Sequence, residues 1–229
     1  MNPNNKSVPR SGALSLACLI IVIGAARFPA AATDLNRPAS TGPAPELASG
    51  QTRCDQGTGV FGDCSTARPP GQDAAVGKGA ARNYVDNGDG TISDLETGLI
   101  WEKLLADDSV HDYSKLYSWY EAFETKIAAL NQGAGFAGHT DWRLPNINEL
   151  QSLADYGREN PAINPIFNTG CSSAGCTGAS CSCTRPFHYW SSTSSNVRPS
   201  GAWLVSFDAG YVVTDVKTNL YYVRAVRGG

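Results

Sequence analysis

Four of the seven cysteines crowd into one short stretch, at Cys171, Cys176, Cys181 and Cys183. Four thiolates suffice for a tetrahedral zinc ion, but structural zinc sites pair their ligands in C-x2-C knuckles. The intervening runs here are four, four and one residue, so disulfides are the expected chemistry. Cys54 and Cys64 supply a third pair by proximity. A reactive pair would need a thiolate stabilised by neighbouring charge, and Arg185 is the one basic residue nearby in sequence. Oxygen ligands gather at Asp86, Asn87, Asp89 and Asp94, which invites calcium. Gly88 breaks the alternation that a calcium loop needs, and Asn-Gly and Asp-Gly are strong hairpin formers. The register favours a turn, with Asp86, Asp89 and Asp94 as the calcium candidates. The three histidines are His111, His139 and His188. A triad of His139, Asp141 and Ser191 or Ser192 lacks a Gly-x-Ser-x-Gly elbow, so the histidines read as surface or turn residues. Asp107 and Asp108 read as a solvated loop.

The elements that would position these groups follow from local signals. Asn83-Tyr84-Val85 and Thr91-Ile92-Ser93 predict two short strands around the Gly-rich turn, and Leu99-Ile100-Trp101 a third. Ser118 with Glu121 makes a capping box, and Trp119, Ala122, Phe123, Ile127 and Leu130 share one face before Gly133. Asn146 with Glu149 repeats the device ahead of Ile147, Leu150, Leu153 and Ala154, with Gly157 as the expected stop. Strands are expected at 188–192, 202–207, 211–216 and 221–226, with Asp208-Ala209-Gly210 as a hairpin turn. Strands, then helices, then strands predict an α+β domain over 82–229. Trp101, Trp119 and Trp203 fall on apolar faces and are expected in the core.

Compartment and charge narrow the function. An apolar run from Ala13 to Ala26, preceded by Lys6 and Arg10 and followed by Ala30-Ala31-Ala32, reads as a signal peptide over 1–32. Cys18 leaves with it, and six cysteines remain in an exported chain, which favours disulfides. The protein is expected in the periplasm, secreted or at the cell surface, with no stable membrane span after cleavage. Residues 33–81, rich in Pro, Gly and Ala, read as an extended linker with a local knot where Cys54 meets Cys64. The 82–229 segment carries 11 Lys and Arg against 16 Asp and Glu. Nucleic acid is excluded, since displacing phosphate counterions requires a basic face.

Six motifs then occur in one order: Asp86-Asn87-Gly88-Asp89-Gly90-Thr91, Thr97-Gly98-Leu99-Ile100-Trp101, Asp141-Trp142-Arg143-Leu144-Pro145-Asn146, Glu149-Leu150, Tyr189-Trp190-Ser191-Ser192-Thr193, and Val223-Arg224-Ala225-Val226-Arg227-Gly228. In that order they resemble a bacterial family, once a domain of unknown function, named after the C-terminal domain of the Legionella collagen-like adhesin. The resemblance spans essentially all of 82–229. It implies a C-type-lectin-like α+β fold of short twisted antiparallel sheets with two amphipathic helices, related also to formylglycine-generating enzymes. Those enzymes use a cysteine pair in the C-terminal part of the domain, and no cysteine follows Cys183 here. The adhesin's collagen-like stalk is missing, and its sulfated polysaccharide would suit a more basic surface.

The resemblance also selects Asp141, Trp142, Arg143, Trp190 and Ser191 as candidate ligand-binding residues, against a buried polar network that merely fixes the fold. The expected function is an exported, noncatalytic binding or adhesion module. Its expected partner is an extracellular or envelope polysaccharide, otherwise a cell-envelope or host protein, with no cofactor unless calcium binds. An enzyme of the formylglycine-related or hydrolase type and a structural envelope-interaction protein are the alternatives.

Overall fold

The computed structural model describes residues 46–57, 59–171 and 175–229. The expected signal peptide and the start of the expected linker lie outside them.

The Gly-rich turn sets the first sheet. Gly88 and Gly90 both take positive φ, a region open to glycine at no steric cost. The side chains of Asp86 and Asp89 accept from the backbone N–H two residues on, at Gly88 and Thr91. The hairpin so formed joins β3 (Tyr84–Asp86) to β4 (Thr91–Asp94), with Val85 opposite Ser93. Beside β4 lies β5 (Leu99–Glu102), and beside β5 the C-terminal β9 (Val226–Gly228), all antiparallel. A second antiparallel sheet runs in chain order through β6 (His188–Ser194), β7 (Gly201–Ser206) and β8 (Tyr211–Val216).

The expected strand at 221–226 does not form as one element. Tyr221 bridges Tyr117, Tyr222 bridges Tyr189, and Val226 bridges Arg143 and pairs with Trp101. The segment crosses from the second sheet to the first, so no single neighbour can pair with its whole length.

Both capping boxes form as the sequence predicts. Behind Ser118, α2 (Trp119–Glu121) continues through a π-helical turn (Ala122–Ile127) into α3 (Ala128–Leu130). Behind Asn146, α4 is short (Ile147–Ser152) and ends before Gly157. The two helical segments pack on opposite faces of the second sheet. Ala122, Ile127 and Leu130 share a buried cluster with Trp190, Ala202 and Leu204. Leu150 and Leu153 share the other with Tyr189, Val205 and Phe207. Leu204 and Val205 point opposite ways, as neighbours on a strand must.

The described part of the expected linker carries structure of its own. Cys54–Cys64 closes the hairpin of β1 (Cys54–Asp55) and β2 (Phe61–Gly62), followed by the single turn α1 (Asp73–Val76). Backbone contacts tie the segment to the domain. Tyr156 N–H donates to Ser49 O at 2.8 Å, and the Arg82 guanidinium donates to Ala48 O, Ser152 O and Ala154 O. Gly50 sits at positive φ so close to Asp155 that an added Cβ would lie 1.9 Å from Oδ1. Sparse apolar composition missed this docking because hydrogen bonds and a disulfide do the holding.

The other cysteines pair as Cys171–Cys183 and Cys176–Cys181, one bridge nested in the other. The loop they staple is fixed to the first sheet's exit by Cys183 N–H on Leu104 O and Ala106 N–H on Cys176 O. None of these six sulfurs is a free thiolate. Among the described residues, no helix is long and apolar enough to cross a membrane.

Candidate functional site

The motif residues converge, but inward. Trp142 and Trp190 lie in one buried cluster, 2% and 0% exposed. Each indole is tethered: Trp142 Nε1–H donates to Phe136 O and Trp190 Nε1–H to Tyr117 O, both at 2.9 Å. Ser191 is fully buried, and its hydroxyl donates to Trp203 O at 2.7 Å. No ligand can stack on rings closed off this way, so these three residues act as scaffold rather than as an open cleft.

The charged members of the motifs pair with one another. The Arg143 guanidinium grips both oxygens of Glu149 at 2.7 and 2.8 Å and also donates to Gly228 O. Burial would raise the Glu149 carboxyl, but Arg143 and the Asn146 N–H outweigh it and hold it below the usual range. Asp141, more than half exposed, accepts from Arg227 at 2.8 and 3.2 Å, which lowers its pKa. Ser192 N–H donates to Pro145 O, and Ile147 N–H to Thr193 Oγ1. The third, fifth and last motifs are thus knit around the start of α4.

Beneath them lies a charged group that sequence reasoning missed. Glu102, fully buried, accepts from the buried Lys126 ammonium, from His111 Nδ1 at 2.8 Å and from Ala225 N–H at 3.0 Å. Burial alone would raise its pKa; Lys126 and His111 outweigh this and bring it down to about 2. Arg224, also fully buried, donates to Glu102 O, Cys183 O and Thr184 Oγ1. The Val-Arg of the closing motif is therefore a bolt between the first sheet and the disulfide loop.

Other candidates are dispersed. Asp86 bonds Lys103 Nζ at 2.7 Å; Asp89 bonds Thr91; Asp94 Oδ1 accepts from Glu96 and Thr97 N–H while its Oδ2 is buried without a hydrogen-bond partner. Among the described residues, no group of three or more His, Cys, Asp or Glu side chains is arranged to hold a metal. His139 is exposed in a turn, Asp141 faces Arg227 and Ser191 faces Trp203 O, so they form no triad. Asp107 and Asp108 give their backbone N–H groups to Asp112.

Chemistry faces solvent elsewhere. Phe187 (50% exposed) and Tyr211 (45% exposed) flank His188, with ring centroids 4.9 and 5.9 Å from it. Tyr221 completes the cluster at 5.3 Å from His188. Register explains part of the grouping: His188 pairs with Ser206 and Ser206 with Tyr211, so the His188 and Tyr211 rings stand on one face in one row, while Phe187 packs edge-on against His188 from just before β6. Two residues further along β8 on each step, Val213 and Asp215 continue the same face. Asp215 Oδ2 accepts from the Tyr221 hydroxyl and from Asn219, which holds the carboxyl below its usual range. Burial keeps His188 below the ordinary histidine value, although Asp215 and Asp208 pull it upward. The sequence signal was present in the alternation Tyr211, Val213, Asp215, but the partners on β6 and beyond Asn219 come from long-range pairing.

The remaining tryptophans divide. Trp101 is buried as expected. Trp119 is half-buried, with Lys217 Nζ 4.1 Å from its ring centre. Trp203 is 36% exposed rather than core, because it sits on β7 opposite Leu204 and outside the apolar cluster under α4.

Several clefts lie along the seam between residues 46–82 and the loop after α4. One of about 310 Å³ is lined by Arg53, Phe61, Tyr156, Arg158 and Glu159. Its guanidinia are committed, Arg53 to Phe61 O and Arg158 to Asp155.

No curated protein matches the chain. The family model described as the Lcl C-terminal domain matches residues 90–227, which takes in the Thr97–Trp101, Asp141–Asn146 and Tyr189–Thr193 motifs and the closing Val-Arg. The network of paired motif residues described above is therefore the scaffold of a member of the Lcl C-terminal domain family, to which this chain belongs.

Proposed function

We propose that this protein is an exported, noncatalytic adhesion module that holds an extracellular or envelope polysaccharide on the aromatic face of Phe187, His188, Tyr211 and Tyr221. A cell-envelope or host protein is the second class of partner for the same face. The observation that carries the reading is a cluster of rings at one end of the three-stranded sheet: His188 and half-exposed Tyr211 in one row, with half-exposed Phe187 against His188 at the entry to β6. Apolar sugar faces and protein side chains both gain by stacking on such rings. Export accords with three disulfides and with the signal-like stretch over 1–32. The α+β arrangement, with its C-terminal strand returned to the first sheet, is read as C-type-lectin-like. Binding is proposed to need no cofactor, since the oxygens of Asp86 and Asp89 already serve Lys103 and the turn backbone. Noncatalytic use accords with the separate commitments of His139, Asp141 and Ser191.

The test uses the full oxidised chain on an array of bacterial and host polysaccharides, followed by calorimetry with and without calcium. The native chain is expected to bind at least one polymer, equally well with calcium. The Phe187→Ala, Tyr211→Ala double variant should lose at least tenfold in affinity while keeping its melting temperature. Failure of any polymer or envelope extract to bind would refute the reading.

A further inference from the structure

We infer that the aromatic face selects an uncharged sugar polymer over sulfated or carboxylated chains; the inference rests on the binding reading above and names its ligand class. The charges around the rings decide it. Asp215 and Asp208 both pull the His188 pKa upward, and Asp215 is hydrogen-bonded to Tyr221 within the ring cluster. Asp215 stays ionised because the Tyr221 hydroxyl and the Asn219 amide both donate to it. The nearest cation on β8's continuation, Lys217, is turned away: its ammonium lies over the Trp119 ring and donates to Ser194 Oγ at 2.7 Å. It is also buried, so it offers no charge to a polymer on the ring face.

Neutral sugar units would lay their C–H faces on Tyr211 or Phe187, and a unit further along the chain would give hydroxyl hydrogens to Asp215, which accepts but cannot donate. A sulfate in that place would meet a fixed like charge at short range. Even in high dielectric, one such contact costs on the order of tenfold in affinity. The wider domain adds to this, with 11 Lys and Arg against 16 Asp and Glu over 82–229. The face thus matches an uncharged chain by hydrogen-bond polarity and by field.

The experiment titrates the full oxidised chain with matched polymers: dextran, mannan and a neutral β-glucan, each beside its sulfated derivative, at low and high salt. Neutral polymer should bind, and its sulfated partner on the order of tenfold more weakly at low salt. The gap should narrow as salt screens the carboxylates and close in the Asp208→Asn, Asp215→Asn double variant. If a sulfated chain binds as well as its neutral partner or better, and Phe187→Ala with Tyr211→Ala still abolishes binding, the ligand class is wrong and the face stands. If that ring variant leaves binding untouched, the face itself is wrong. If neither series binds, both readings fall.

Discussion

Glu102→Gln tests a fully buried charge. Glu102 is fully buried and Lys126 is 1% exposed at its side chain, so neither finds water when the other is removed. A glutamine offers one acceptor where Glu102 uses two, and its amide would face either the Ala225 N–H or the Lys126 ammonium, donor against donor. Breaking a buried pair by deleting one partner costs about 3–5 kcal/mol, because the remaining charge is stranded. That is a large part of the roughly 5–15 kcal/mol that holds a domain folded. For a chain of this size it corresponds to a fall in Tm of about 10 °C. Urea unfolding of the oxidised protein measures it, with a shifted midpoint and an unchanged slope as the expected pattern. Adding Lys126→Met removes the stranded ammonium, and the double variant should recover most of the loss. A single variant within about 1 kcal/mol of the native protein would refute the argument. So would a double variant no more stable than the single.

Three further outcomes follow from the same geometry. Trp142→Ala empties a site in the buried cluster and should cost about 3–5 kcal/mol, whereas Trp203→Ala, at a 36% exposed position, should cost less than about 1 kcal/mol; paired thermal melts decide. Glu102 has a folded pKa of about 2 against an ordinary 4.5, so the folded state binds fewer protons and stability rises with pH in that window. Its contribution is complete above 4.5 and fades as pH falls toward 2, and urea midpoints at stepped pH should show a shallower acid slope for Glu102→Gln. Asp141→Asn removes an ion pair whose acid is more than half exposed; its cost should stay below about 1 kcal/mol and shrink with added salt, without effect on ligand affinity.

The readable parts of the sequence are those whose cause is local. Ser118 with Glu121 and Asn146 with Glu149 announce their helices because each box closes within one turn of chain. The turn from Asp86 to Gly90 is legible for the same reason, since its carboxylates bond backbone two residues away. Illegible parts depend on where the chain goes afterwards. Trp203 and Leu204 look alike in an apolar run, and only the placement of the helices on the two faces decides that Leu204 is covered and Trp203 is exposed. Residues 221–226 have the composition of a strand, yet they divide their pairing among Tyr117, Tyr189 and β5. Residues 46–81 lack a core and are held by Arg82, Ser49 and Cys54–Cys64, contacts to which a hydrophobicity argument is blind. The candidate site fails for both reasons at once: the motif tryptophans are buried, and the exposed rings sit on strands joined only by the β6-β7-β8 order.

This division explains why the family resemblance fixes the fold more firmly than the ligand. The motif side chains that could recognise something are spent on one another: Arg143 on Glu149 and Gly228, Asp141 on Arg227, Arg224 on Glu102 O and Cys183 O. Changing one of the buried members, Arg224 above all, strands a charge or empties a core position, so physics resists substitution there whatever the protein binds. Phe187 precedes the Tyr189 motif, while Tyr211 and Asp215 lie between it and the closing motif. Tyr211 and Asp215 lie on β8, Phe187 enters β6, and the two rings are half exposed. A scaffold that concentrates its constraints in the motifs leaves that one face free to be retuned, by ring for stacking and by carboxylate for charge. On the binding reading proposed above, the ligand is to be read from Phe187, Tyr211 and Asp215, and the fold from the motifs.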